Sequence, residues 1–173
     1  MTVILHIFTF LVPLFYFASA MLYAATFFGN VEDAKTFRRP ALATAVTLHL
    51  IYLALHTALT GRLPIANVYE ITTLIAFTLA LVYLFIEWRT GVGETGFFVI
   101  TVAFLFQVYS SLFIAAESAA PAALLAPVLQ LHIVAALLGY SAITIAGIYS
   151  LLYILLQRDI ESNRFSVLFE RLP

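Results

Sequence analysis

The sequence has no cysteine and few charged residues, and both absences narrow what the chain can do. A cysteine count of 0 excludes disulfides, thiolate metal sites and cysteine nucleophiles. Charged residues make up only 10% of the 173 residues, whereas soluble domains carry about 25%. Lys and Arg number 8 against 9 Asp and Glu, so the chain has no basic surface for nucleic-acid phosphates.

What is present is apolar: hydrophobic residues make up 64% of the chain and the mean hydropathy is +1.06. Each apolar stretch comes near or exceeds the roughly 20 residues that a membrane-spanning helix needs, and none shows the alternation of a barrel strand. We therefore expect an all-α integral membrane protein in the lipid bilayer, with residues 1–157 forming one bundle of five transmembrane helices and residues 158–173 a tail. The expected helices cover about residues 3–28, 40–60, 68–87, 96–116 and 127–157.

The basic residues predict the orientation, because Lys and Arg are retained on the cytoplasmic side. In this arrangement Arg62 stands alone on one side of the membrane, and seven basic residues lie on the other: Lys35, Arg38, Arg39, Arg89, Arg158, Arg164 and Arg171. The N-terminus is therefore expected outside and the C-terminal tail in the cytoplasm. Residues 62–67 and 117–126 become external loops, and the bacterial inner membrane is the expected location.

Three of the four histidines are expected at one depth near the outer surface: His6, His56 and His132. Neutral imidazole ligates haem iron well, so a pair of these residues on facing helices predicts a non-covalent b-type haem. His49 lies seven residues before His56 on the same helix face, about 10 Å deeper, so these two cannot be opposite ligands of one iron. The alternative interpretation is that each histidine packs inside the bundle and bonds a carbonyl group.

The first external loop runs from Arg62 into the third helix. Asn67 followed by Glu70 has the spacing of an N-cap residue and an acidic residue in the first helical turn. A cap explains these two residues but leaves Pro64 and Tyr69 unexplained. We therefore keep all five residues as candidates for a helix cap or a partner contact.

Two patterns of small residues are interpreted as structural. Residues 91–96 read G-x-G-x-x-G, but they join two membrane helices rather than a strand and a helix, so we expect a turn and not a dinucleotide site. The last helix carries small residues that favour close packing with another helix: Ala135, Gly139, Ala142, Ala146 and Gly147.

Two segments together resemble the membrane proteins of cytochrome c assembly, the ResC/CcsA-type haem-handling family. Residues 61–70 are similar to the family's G-x-x-P followed by a polar residue and x-Tyr-Glu, and residues 127–142 are similar to its P-x-L-Q, L-H and alanine-rich helix. The resemblance covers about residues 40–173. The family's tryptophan-rich haem-binding segment is not found in the chain, whose single tryptophan is Trp88.

The resemblance implies that the protein presents haem at the outer membrane face for attachment to apocytochrome c, together with other assembly membrane proteins. His132 then matches the external histidine that ligates haem iron, with His56 or His6 as further ligands. No catalytic residue is expected, and the chain would be at most part of a cytochrome c synthase system. The alternatives are a membrane regulator of haem biosynthesis that acts by protein interaction, and a small bis-histidine electron carrier.

Overall fold

The described part of the computed structural model, residues 3–113, 124, 126–162, 167 and 169, contains five long α-helices and no strand. All five helices are long and apolar enough to cross a membrane. The prediction of an all-α, multi-pass membrane protein is confirmed. The helices are α1 (Val3–Gly29), α2 (Glu32–Thr60), α3 (Val68–Thr90), α4 (Gly96–Phe113) and α5 (Pro127–Glu161).

Helix α2 begins at Glu32, eight residues before the expected start at residue 40. Hydropathy marks only the part of the helix that is apolar enough to lie in the bilayer. The polar turns before Pro40 are also helical, and they bury Ala34 and Arg38. Helix α5 likewise runs to Glu161, four residues past its apolar stretch. Most of the expected tail, and the expected external loop 117–126 apart from residues 124 and 126, lie outside the described residues.

Helix α3 holds the central position in the bundle. It packs against α4, α5 and α2, while α1 packs against α2 and α4. Four tyrosines from three helices are among the largest fully buried side chains of the bundle: Tyr16 and Tyr23 on α1, Tyr52 on α2 and Tyr83 on α3. Because α3 lies between α2 and α5, residues on those two helices face different flanks of α3.

Helix α5 attaches to the bundle along a single stripe that includes Leu137, Ser141, Ile145 and Leu152. The Ser141 and Thr78 hydroxyls lie 2.7 Å apart and fix its level against α3. The small residues expected to pack do not do so against any described helix: all five are exposed, and a Cβ at Gly139 or Gly147 would meet nothing within 4 Å. That prediction is wrong for the described bundle, because α5 turns Leu137, Ser141, Ile145 and Leu152 towards the other helices and leaves these alanine and glycine positions outside.

A buried ion pair fastens the end of the bundle at the α3–α4 turn. Arg38 Nε lies 3.4 Å from Glu87 Oε1, and Arg38 Nη2 lies 3.5 Å from Glu94 Oε1. The Tyr23 hydroxyl donates to the other Glu87 oxygen. A Cβ at Gly93 would lie 2.4 Å from both Arg38 Nη2 and Glu87 Oε1, so the turn contacts this pair only because the residue is glycine.

Candidate functional site

The loop between α2 and α3 is folded around an ion pair between Arg62 and Glu70. The two guanidinium nitrogens donate to the two carboxylate oxygens over 2.6 and 2.9 Å. The side chains are only 15% and 6% exposed, so the pair is largely shielded from water. The hydrogen bonds to Glu70 raise the pKa of Arg62, which keeps the guanidinium charged.

Asn67 caps α3 as the sequence predicts. Its backbone is extended (φ −144°, ψ 170°) and its Oδ1 accepts from the Glu70 N–H over 2.9 Å. In a capping box the Glu70 carboxylate would accept from the N–H of Asn67 itself. Here it accepts from the Ala66 N–H over 2.8 Å and at the same time binds Arg62. The Asn67 Nδ2 atom is buried and has no hydrogen-bond partner.

Pro64 and Tyr69 tie this loop to the bundle. Pro64 is buried and is followed by Ile65, which is 2% exposed and belongs to the core. The Tyr69 ring stacks on Phe113 with 5.6 Å between centroids, and the Tyr69 carbonyl accepts from the Ser110 hydroxyl over 2.8 Å. Both residues therefore have structural contacts that the sequence alone did not reveal.

His56 lies near the same loop and is 7% exposed. Its ring packs against Tyr52, with 6.2 Å between centroids, and its Nδ1 lies 3.5 Å from the Thr60 hydroxyl. Among the described residues, Nε2 of His56 has no hydrogen-bond partner. This nitrogen can therefore act as a metal ligand without the loss of an existing hydrogen bond.

The three candidate histidines lie at the same end of the bundle as the α2–α3 loop. Phe8 packs on Tyr52, which sets the antiparallel register of α1 and α2 and places His6 level with His56. On α5, His132 precedes Ser141 by the nine residues that separate Tyr69 from Thr78 on the parallel helix α3, so it stands level with Tyr69. The side chains of His6 and His132 are exposed.

Equal depth does not bring the three imidazoles together in the described bundle. Helix α2, which carries His56, packs against α3, and α1, which carries His6, packs against α2. Helix α5, which carries His132, packs against another side of α3. One side chain from each flank would have to reach around α3 to share an iron. The structure thus presents a buried imidazole at His56 and a separate, exposed one at His132.

His49 is the centre of a buried hydrogen-bond chain that its position in the sequence did not reveal. Its Nδ1 lies 3.0 Å from the Tyr16 hydroxyl and its Nε2 lies 3.0 Å from the Thr73 hydroxyl. Thr73 donates to Gln107 Oε1 over 2.8 Å, and the Gln107 amide donates to Ser111 over 3.1 Å.

The direction of the Thr73 bond assigns a proton to Nε2 of His49. Because the Thr73 proton is given to Gln107, Thr73 accepts from His49 Nε2–H, and the other ring nitrogen, Nδ1, bonds the Tyr16 hydroxyl. Both ring nitrogens of His49 are thus engaged, which removes it as an iron ligand in this arrangement. The signal available in the sequence was a histidine, a threonine and a glutamine inside otherwise apolar helices.

Comparisons with known proteins agree with the resemblance of residues 61–70 and 127–142. The family described as cytochrome C assembly protein matches residues 65–173. Cytochrome c biogenesis protein CcsA of Pyropia yezoensis is 30% identical over 132 residues, which cover 70% of this chain and 41% of that protein. The CcsA protein of Heterosigma akashiwo strain NIES-293 is 30% identical over 103 residues, 56% of this chain and 31% of that protein.

No solved structure matches the chain at a significant level. The chain spans well under half the length of these curated relatives. The family match nevertheless covers the α2–α3 loop from Ile65 onwards, Glu70 and His132. On this evidence the chain belongs to the cytochrome c assembly protein family.

Proposed function

We propose that this chain handles haem in cytochrome c biogenesis and presents it at the outer face of the membrane. The observation that carries the proposal is the position of His132, exposed at the end of α5 that lies level with the α2–α3 loop. The relatives are named as cytochrome c biogenesis proteins, which supports the same pathway for this chain. Apocytochrome c and other assembly membrane proteins are the proposed partners.

The side chains at this end of the bundle fit a non-covalently held haem. His56 Nε2 offers an unbonded imidazole nitrogen, and buried groups without partners lie at the Tyr52 hydroxyl and Asn67 Nδ2. A buried polar atom without a partner costs about 1–3 kcal/mol, so hydrogen-bond donors of this kind favour a ligand with oxygen acceptors, such as the haem propionates. Arg62 adds positive charge at the same end, although Glu70 already neutralises it.

We assign His132 as the principal iron ligand and His56 as the second candidate, with His6 as the third. His132 is exposed, so haem bound there would be accessible to a second protein. His56 is buried beside Tyr52, where it would hold a haem more deeply. Because α3 separates the two residues, we expect their replacement to have unequal effects on haem content.

The experiment is the absorption spectrum of the detergent-purified chain and of single histidine variants. The wild-type chain should show a Soret band with sharp reduced α and β bands. His132→Ala should broaden or abolish them while helical content measured by circular dichroism persists, because a side chain that would ligate the iron is lost. Added imidazole is small enough to fill the vacant position and should partly restore the spectrum.

The matched variants are His49→Ala and His56→Ala. If His132→Ala leaves haem content and spectrum unchanged while His56→Ala abolishes both, the iron sits on α2 and the assignment to α5 is wrong. A colourless wild-type preparation that still restores cytochrome c formation in a deficient strain would favour the regulatory alternative. The bis-histidine electron carrier requires two facing imidazoles; the position of α3 disfavours a pair that includes His132, whereas His6 and His56 lie on the adjacent helices α1 and α2.

A further inference from the structure

A groove of about 350 Å³ lies between α3 and α5, next to the α3–α4 turn and at the opposite end of the bundle from His56. Ile86 and Val92 line it on one side, and Leu152 and Leu156 line it on the other. Its volume falls in the lower part of the roughly 300–1,000 Å³ range of small-molecule sites. Among the residues that the structure describes, no charged side chain lines it.

Hydroxyl groups are concentrated at one position of this apolar groove. Thr95 donates its hydroxyl proton to the Tyr149 oxygen over 3.1 Å. The Tyr149 proton is therefore left for another acceptor, and none is found among the described residues. A hydrogen-bond donor on the wall of an apolar groove selects a ligand that carries an acceptor such as a carbonyl oxygen.

The walls also favour a flat ring. Tyr149 and Tyr153 lie four residues apart on α5, so that both rings border the groove. Aromatic side chains contact planar ligands over a large area. A phosphate headgroup or a propionate would need a cation, and the described lining residues supply none.

We propose that this groove binds the ring of an isoprenoid quinone, with a ring carbonyl accepting from Tyr149 and the apolar tail continuing into the bilayer. An isoprenoid quinone combines an uncharged ring, two carbonyl acceptors and an apolar tail, which are the three properties that the lining selects. The inference does not rest on the haem assignment, because the groove and the histidines lie at opposite ends of the bundle.

The test is the titration of the full chain with decylubiquinone in phosphatidylcholine nanodiscs. The single tryptophan, Trp88, does not line the groove but lies on α3 two residues along the chain from the groove-lining Ile86 and Thr90, and it serves as the fluorescent reporter. We expect saturable quenching with about one quinone per chain. Tyr149→Phe should weaken binding about three- to tenfold, the loss of one neutral hydrogen bond.

Two further variants separate occupation of the groove from partition into the lipid. Leu152→Phe fills the groove and should weaken binding more than tenfold, whereas Leu151→Phe changes a side chain that is 57% exposed outside it and should leave binding unchanged. Leu156→Phe is the second filling variant if Leu152→Phe loses helical content. Non-saturable quenching that is equal in all variants would overturn the proposal, and so would equal competition by decylbenzene, which has the ring and chain but no carbonyl.

Discussion

At the residue scale, the Asn67 side chain has one atom that stabilises α3 and another that is available to a ligand. Its Oδ1 caps α3, while its Nδ2 is buried without a partner. Asn67→Ala removes the cap and should cost about 0.5–2 kcal/mol, which should appear as a lower melting temperature in detergent. Asn67→Ser is the matched control, because serine caps comparably and lacks the amide.

The two variants separate the two roles of this residue. If Asn67→Ser keeps the melting temperature but loses bound haem, the amide serves the ligand. If both variants keep the melting temperature but no longer restore cytochrome c formation, the cap does not explain the loss of function. The loop must then be assigned to contacts with a partner or with the haem propionates.

Gly93 is a second position where a single residue determines the local structure. Gly93→Ala would place a methyl group 2.4 Å from Arg38 Nη2 and from Glu87 Oε1. Since both atoms belong to a buried ion pair, we expect the turn to shift and the melting temperature to fall. Gly147→Ala is the control, because its added Cβ meets nothing within 4 Å and alanine favours a helix by about 0.5–1 kcal/mol. Equal melting temperatures for the two variants would contradict the close approach at Gly93.

The sequence predicts residue roles where the cause is local. The cap at Asn67 depends on a residue three positions later, so its spacing reveals it. The partners of His49 come from α1 and α3, and Thr73 extends the chain to Gln107 on α4. The partners of Arg38 come from α3 and the α3–α4 turn. No spacing along the chain reports such contacts, because they depend on how the helices are arranged.

At the scale of the helices, the hydrogen-bond chain through His49 joins α1, α2, α3 and α4. Thr73→Val is nearly isosteric but leaves the His49 Nε2–H and the Gln107 carbonyl without their partner. Each buried unsatisfied group costs about 1–3 kcal/mol, so the variant should melt at a clearly lower temperature.

Thr101→Val is the matched control for this prediction. The Thr101 hydroxyl on α4 is buried without a partner, so its removal should leave stability unchanged or raise it. A Thr101→Val chain that melts as low as Thr73→Val would show that the loss comes from the change to valine and not from the broken chain.

Hydropathy located all five helices because each must be apolar over about 20 residues. It misplaced the start of α2, since polar turns outside the lipid segment remain helical and bury Arg38. The small residues of α5 predicted close packing with another helix, but the described bundle leaves them exposed. Small residues show that another helix can approach α5 closely, but the arrangement of the neighbouring helices determines which face of α5 packs against them.

At the scale of the whole molecule, the central position of α3 determines how the candidate residues relate to each other. The sequence predicted that His6, His56 and His132 share a depth, and the helix registers place them at one end of the bundle. It did not predict that α3 stands between His132 and His56. Depth follows from position along each helix, whereas the order of helices around α3 follows from long-range packing.

The orientation of the bundle is the remaining prediction at this scale, and the proposed presentation of haem at the outer face depends on it. Seven of the eight Lys and Arg residues lie at the end with the α3–α4 turn or in the tail, so this end should face the cytoplasm. The α2–α3 loop and the start of α5 should then lie outside. Because the chain has no cysteine of its own, single introduced cysteines report their side of the membrane without background. Ala66→Cys and Ala126→Cys should react with a membrane-impermeant maleimide in intact cells, and the exposed Thr36→Cys should react only after permeabilisation. The reverse pattern would put His132 on the cytoplasmic side, where presentation of haem to an external apocytochrome is not feasible, and the proposed function would have to be abandoned.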